Sequence, residues 1–149
     1  MIFDSVLKKW YRRPRDERFI FLEAFLLLAF ARLGVLFLPF KWFAFFLGAK
    51  SGHSAHNLSS YQFDVARKIG RMTRTAARYT PWESVCLPQA VAAKIMLRRR
   101  RIPGTLYLGL AKGKYGESAM EAHAWLRCGE AVLTGAPGHQ RYTVVAMFS

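Results

Sequence analysis

The chain has few of the residues that would make it a scaffold of cross-links or metals. Only two cysteines, Cys86 and Cys128, occur in 149 residues. That is too few for a disulfide framework and fits a reducing compartment. It also excludes a four-cysteine zinc site, and the four histidines (His53, His56, His123, His139) are scattered without tight ligand spacing. His53 and His56 stand three apart in a small, polar stretch with no further ligand nearby, so no metal is expected. Acidic residues are scarce as well: 9 Asp and Glu stand against 23 Lys and Arg, a formal net charge of +14, and no aspartate follows Asp64. Such a balance points to an acidic partner: an anionic membrane surface, an acidic peptide or protein, or nucleic acid. No zinc finger, RNA-binding aromatic signature or helix-turn-helix pattern accompanies the charge, so nucleic acid is not expected.

What is abundant is apolar residues, 52% of the chain, enough to build one core. They are unevenly placed. Residues 1–50 read as a basic and then very apolar helical region. The run Phe19 to Leu38 contains only Glu23 and Arg32 as charges, Pro39 stops it, and an aromatic-rich run follows from Phe40 to Leu47. The first run is long enough to span a bilayer, but its two charges favour a helical hairpin packed on the rest of the protein or on a partner. Residues 51–60 read as a linker. Residues 61–149 read as the core domain.

In that domain Val65, Ile69, Met72 and Ala76 recur at helical spacing between Gln62 and Tyr79. A further helix starts close to Cys86 and runs to about Arg100, with Pro88 in its first turn. The period then changes. Leu106, Leu108 and Leu110 alternate in a strand from Thr105 to Leu110. Polar residues Lys112 to Ser118 form a loop. Further strands are expected at Ala122 to Arg127, Ala131 to Thr134 and Tyr142 to Met147, with Cys128-Gly129 as a tight turn. Helices first and an antiparallel meander after them give an α+β fold, the sheet packed on the Cys86 helix.

A cysteine reacts as its thiolate, and a helix N-terminus favours that negative charge. The same N–H groups can donate to an oxyanion. Cys86 lies where the helix is expected to begin. His123, within a strand beside that helix, is the best-placed base, and Trp125 shares its face. The two residues alone read first as an ordinary buried cysteine and a satisfied strand histidine.

The wider pattern is more specific. Trp82 to Ala93 reads W-E-S-V-C-L-P-Q-A-V-A-A, Leu97 to Pro103 reads L-R-R-R-R-I-P, and Leu106 to Leu110 reads L-Y-L-G-L. A-H-A-W-L follows at Ala122 to Leu126, and V-L-T-G-A-P at Val132 to Pro137. With the apolar L-E-A-F-L-L-L-A-F-A-R-L before them, these segments resemble the stand-alone leader peptidases of lasso-peptide biosynthesis, a branch of the transglutaminase-like superfamily of cysteine peptidases. The resemblance implies a transglutaminase/papain-like core, Cys86 as nucleophile and His123 as base, and no cofactor. The expected substrate is a ribosomally made precursor whose leader is removed. The expected partners are a separate leader-binding protein and the ATP-dependent cyclase. The setting would be cytoplasmic, with peripheral membrane contact left open. Acyl transfer to an amine and a membrane-associated scaffold with an inert Cys/His pair are the alternatives.

The family usually supplies an aspartate after the histidine, and this chain has none. If Cys128-Gly129 is the turn, Arg127 faces Glu130 and His123 faces Thr134, so Thr134 or a nearby backbone carbonyl is expected to hold the imidazole. Glu130 lies too far along the ladder, and His139 is a weaker candidate. Trp82 and Trp125 could wall a peptide groove or serve as core aromatics. Gln89, one turn beyond Cys86, could face the substrate or solvent. Cys128 is expected to be an incidental, exposed turn thiol.

Overall fold

The computed structural model describes residues 8–48, 57–113 and 119–149. His53 and His56, and most of the expected linker and of the Lys112 to Ser118 loop, lie outside the described residues. From Arg15 on, the elements among the described residues are, in order, α1 (Arg15–Phe37), α2 (Phe40–Leu47), α3 (Ser60–Ala77), α4 (Cys86–Arg99), β1 (Thr105–Lys112), β2 (Met120–Cys128), β3 (Ala131–Thr134) and β4 (Thr143–Phe148). A single 3₁₀ turn, His139–Arg141, precedes β4. The fold is α+β.

Proline sets the first boundary. Pro39, which cannot continue a helix, separates α1 from α2. Helix α3 begins two residues earlier than the apolar spacing indicates, because Ser59 and Gln62 form a capping box. The Ser59 hydroxyl accepts from the Gln62 N–H (3.2 Å), and Gln62 Oε1 accepts from the Ser59 N–H (3.1 Å).

Helix α1 is apolar all round and uses one stripe for the core. Ile20, Ala24, Leu28 and Ala31 are buried with Ile69 and Met72 of α3 and Ala90, Ala93 and Leu97 of α4 in one cluster. Ala24, Ala31 and Gly34 of α1 and Ala90, Ala92 and Ala93 of α4 are small buried residues, which lets the backbones approach. Three carboxylates of α1 then pin it to its neighbours. Asp16 accepts from Lys68 (2.7 Å), Glu17 from Arg71 (2.6 Å), and Glu23 from Arg99 and Arg100 (2.7 and 2.6 Å). Part of the basic surface of α3 and α4 is therefore matched from within. Lys68 holds the Asp16 carboxyl below the usual carboxylate range.

The sheet is antiparallel with order β3-β2-β1-β4. It is not the simple meander expected from the strand sequence. After β3 the chain crosses one face of the sheet and β4 pairs with the far edge of β1, where Phe148 enters the core. Alternation decides the two faces. Leu106, Ala124, Leu126 and Phe148 belong to the core cluster shared with α4. Tyr107, His123 and Trp125 point to the opposite face, beneath the crossing chain. Helix α3 is tied to the β3 edge, where the Arg74 guanidinium donates to the Leu133 carbonyl.

Within α4, Lys94 is only 6% exposed, and its ammonium donates to the Gly104 carbonyl. Burial first, and the Arg98 charge second, push its pKa down to about 8. A lysine lowered in the folded state keeps its proton in both states below pH 8. Above that, the folded protein releases the proton before the unfolded chain does, so stability rises with pH up to the unfolded value near 10.5. Urea denaturation at pH 7.5 and pH 10, compared between wild type and Lys94→Met, should show wild type gaining on the order of 2 kcal/mol relative to the variant at the higher pH. A difference that does not change with pH would show that Lys94 is not desolvated.

Candidate active site

Cys86 is the first residue of α4, half-buried and unoxidised, with a partly buried side chain packed against the core cluster. The approach to it is ordered by polar contacts. Thr80 Oγ1 donates into the turn around the Ala77 and Trp82 carbonyls (2.9 and 3.0 Å) and lies 2.8 Å from Ser84 Oγ. Gln89 Nε2 reaches back to the Ser84 carbonyl (2.7 Å). Gln89 thus braces the segment entering the helix, and that hydrogen bond, rather than a substrate, occupies its amide nitrogen. The N-cap is Val85, which has no side-chain acceptor, and no acidic residue stands in the first turn. Pro88 removes one N–H from that turn. The N–H groups that remain at the Cys86 end lack a capping side chain, so this end of α4 keeps hydrogen-bond donors and the positive end of its dipole for an anion.

His123 lies opposite Gly109 of β1. Its Nε2 is 2.8 Å from the Gly135 carbonyl oxygen. A carbonyl can only accept, so Nε2 carries a proton in this arrangement, which leaves Nδ1 as the nitrogen that can act as a base. The ring stacks between Tyr142 (4.9 Å between centroids) and Trp125 (6.0 Å). Trp125 is itself stacked on Tyr107 at 5.5 Å and 6°. Gly109 leaves the space for this cluster, since a Cβ there would lie 2.8 Å from both the Trp125 ring and Tyr142 Cβ.

The register expected between β2 and β3 is corrected. The turn residues are Gly129, at φ 58°, and Glu130, one position later than expected, so Cys128 pairs with Ala131 and Arg127 with Val132. A bulge between Leu126 and Arg127 then places Thr134 opposite Leu126. His123 lies beyond the end of β3, where the chain turns away at Gly135. Of the two expected anchors for the imidazole, the backbone carbonyl is the one in contact. Thr134 is fully buried on the core side, and its hydroxyl has no partner among the described residues.

Cys128 is corrected for the same reason. It closes β2 with 1% exposure, its Sγ donates to the Pro103 carbonyl (3.2 Å), and burial pushes its thiol pKa up. The two thiols should therefore separate cleanly under native alkylation. Iodoacetamide followed by peptide mass mapping should label Cys86 and spare Cys128 until the protein is unfolded. Native labelling of Cys128 at the rate of Cys86 would contradict its burial.

The two tryptophans are not brought together as facing walls of a groove. Trp82 packs on Phe25 of α1 (5.7 Å), while Trp125 is buried at 4% exposure within the His123 cluster. His139 contacts Trp125 (5.6 Å) and binds the Ala136 carbonyl through Nδ1 (2.7 Å), so it supports the crossing chain rather than His123. No hydrogen bond joins Cys86 Sγ to His123 among the described residues. His123 lies on the sheet face opposite the core that α4 shares, so the structure does not bring the two expected partners together. Sequence reasoning missed Gly135 and Tyr142. Only the glycine in V-L-T-G-A-P carried a signal, that of a turn. No cluster of three or more metal-ligating side chains occurs among the described residues.

A cysteine opening a helix that packs on an antiparallel sheet, with a histidine on the second strand, defines the thiol-bearing α+β class. Residues 34–147 match the Transglutaminase-like superfamily, and the chain belongs to that family. No curated protein and no solved structure shows significant similarity to it.

Proposed function

We propose that the protein is a cysteine peptidase that removes the leader from a ribosomally made lasso-peptide precursor. The observation that carries this reading is Cys86 at the uncapped first position of α4, inside the family's domain. The resemblance of C-L-P-Q-A and A-H-A-W to the leader peptidases supplies the substrate.

In the proposed reaction His123 Nδ1 takes the Cys86 proton, and the sulfur attacks the scissile carbonyl carbon. The oxyanion is held by the free amides of the first turn of α4. Collapse expels the amine, which takes the proton from His123, and leaves a thioester on Cys86. Water, deprotonated by His123, then attacks the thioester carbon, the C–S bond breaks to release the acid, and the Cys86 sulfur takes the proton back from His123. The Gly135 carbonyl holds Nε2–H throughout, the role an aspartate has in relatives. The open Cys86–His123 geometry favours one second reading, a member of the fold whose thiol does no chemistry. Acyl transfer to an amine would share every step up to the thioester.

The partners proposed are the precursor, a leader-binding protein and the cyclase, in the cytoplasm. The leader-binding protein should accelerate cleavage, because tethering the leader makes the encounter nearly intramolecular. Mass spectrometry of precursor incubated with the protein, with and without that partner and with a truncated leader, measures this. The rate should rise by on the order of a hundredfold with partner and intact leader together. Equal rates in all three mixtures would remove the partner from the mechanism.

A further inference from the structure

Helix α1 has a second apolar stripe that the core does not use. Phe19, Leu22, Leu26, Phe30, Leu33 and Phe37 recur at spacings of three and four. All are solvent-exposed, with Phe19, Phe30 and Phe37 at 72%, 68% and 77%. They fall within an arc of roughly 100° and extend for about 27 Å along the helix. Exposed Trp42 on α2 adds to the apolar surface of this half. A contiguous stripe of this size on a small protein marks a contact surface.

We propose that this stripe seats the protein on an anionic phospholipid membrane, lying in the interface without spanning it. Three observations select that occupant. First, charge is graded along the stripe. Its N-terminal end meets Lys8, Lys9, Arg12, Arg15 and Arg18, and the carboxylates nearby, Asp16 and Glu17, are already held by Lys68, Arg71 and Arg13. Second, that end is a concavity lined by Trp10, Arg15, Arg18, Phe19 and Leu22, and Arg18 Nε is buried there without a partner among the described residues. Guanidinium groups beside the start of an apolar stripe match a phosphodiester headgroup joined to acyl chains. Third, past that end the stripe lies on the outer side of a single helix, and a second copy would bring another +14 charge to it.

Helix α1 is long and apolar enough to cross a bilayer by length and composition alone. Its opposite stripe is nevertheless buried on α3 and α4, and Glu17 and Glu23 are paired with arginines of those helices. Insertion across the membrane would strip both. The helix would instead lie in the headgroup layer with its outer side chains among the acyl chains.

Co-sedimentation of the full chain with vesicles tests this. Phosphatidylcholine vesicles are compared with vesicles of equal parts phosphatidylcholine and phosphatidylglycerol. The expected result is binding at least about tenfold tighter to the anionic vesicles, weakened by salt. The double variant Leu26→Ser, Phe30→Ser should lose on the order of a hundredfold in affinity while keeping its circular dichroism and melting profile. Arg15→Gln, Arg18→Gln should lose about tenfold on anionic vesicles only. Cys86→Ala should bind like wild type, which separates this surface from the proposed chemistry. Equal binding to both vesicle types, or binding unchanged by Leu26→Ser, Phe30→Ser, would overturn the proposal. So would a wild-type oligomer in sedimentation equilibrium that the same double variant dissociates while vesicle binding stays unchanged, because the stripe would then belong to a second copy.

Discussion

Cys86→Ala should abolish precursor cleavage, a loss of at least about a thousandfold, while the protein melts within a few degrees of wild type. The separation of activity from stability follows from where the residue sits. Cys86 is half-buried at the first position of α4, and its side chain makes no hydrogen bond among the described residues. Alanine at that position leaves the helix start intact, and the segment before it stays braced by Gln89 on the Ser84 carbonyl. His123→Ala should lower the rate by about two to four orders of magnitude, the range of a general base, without removing thiol reactivity altogether. Cys128→Ala should cost about 1–2 kcal/mol of stability through lost packing and a lost S–H donor, and leave the rate near normal. Single-turnover cleavage monitored by mass spectrometry reads all three. Full turnover by Cys86→Ala would sink the nucleophile assignment, and loss of Cys86 function with no effect of His123→Ala would leave the thiol without this base.

The elements that were legible from sequence are those with an unambiguous period or a breaker. Pro39 and Gly48 bound α2, Cys86 opens α4, and the alternation of Leu106, Leu108 and Leu110 identifies β1 and its core face. The crossing of β4 to the far edge was not legible, because strand order depends on which backbone edge is free, and no side chain reports that. The β2–β3 register failed for a related reason. A one-residue choice between Cys128-Gly129 and Gly129-Glu130 as the turn, followed by a bulge, moves Thr134 from His123 to Leu126. The same shift buries Cys128.

For the site, residue types with their own chemistry were identifiable, whereas a backbone carbonyl was expected as one of two anchors for the imidazole without its residue being legible. Cys86 and His123 stand out in the sequence, whereas the partner of the imidazole is a carbonyl, which every residue has. Gly135 is legible as a turn residue only. The aromatic cluster of Tyr107, Trp125 and Tyr142 is assembled across three segments by the sheet order, so it had no local signature.

Gly135→Ala should be among the most destabilising single-methyl changes the protein can take, at about 3 kcal/mol. Gly135 and Gly138 have nearly the same φ, 72° and 71°, on the positive side where an L side chain costs about 1 kcal/mol. Their surroundings differ completely. A Cβ on Gly138 meets nothing within 4 Å, whereas one on Gly135 collides with the Ala124 carbonyl and lies 2.9 Å from Trp125 Cβ. Overpacking of that kind adds roughly 1–3 kcal/mol. The difference between the two alanine variants in urea denaturation therefore isolates the clash from the backbone term. Relief requires Gly135 to move away from β2, and the Gly135 carbonyl moves with it, so the His123 Nε2–H loses its acceptor. Gly135→Ala should then slow precursor cleavage by about tenfold or more at a temperature where the variant is still folded, while Gly138→Ala keeps the wild-type rate. Equal destabilisation by the two substitutions would mean that the crossing chain does not press on Trp125. A folded Gly135→Ala with wild-type cleavage would show that the carbonyl does not position the histidine.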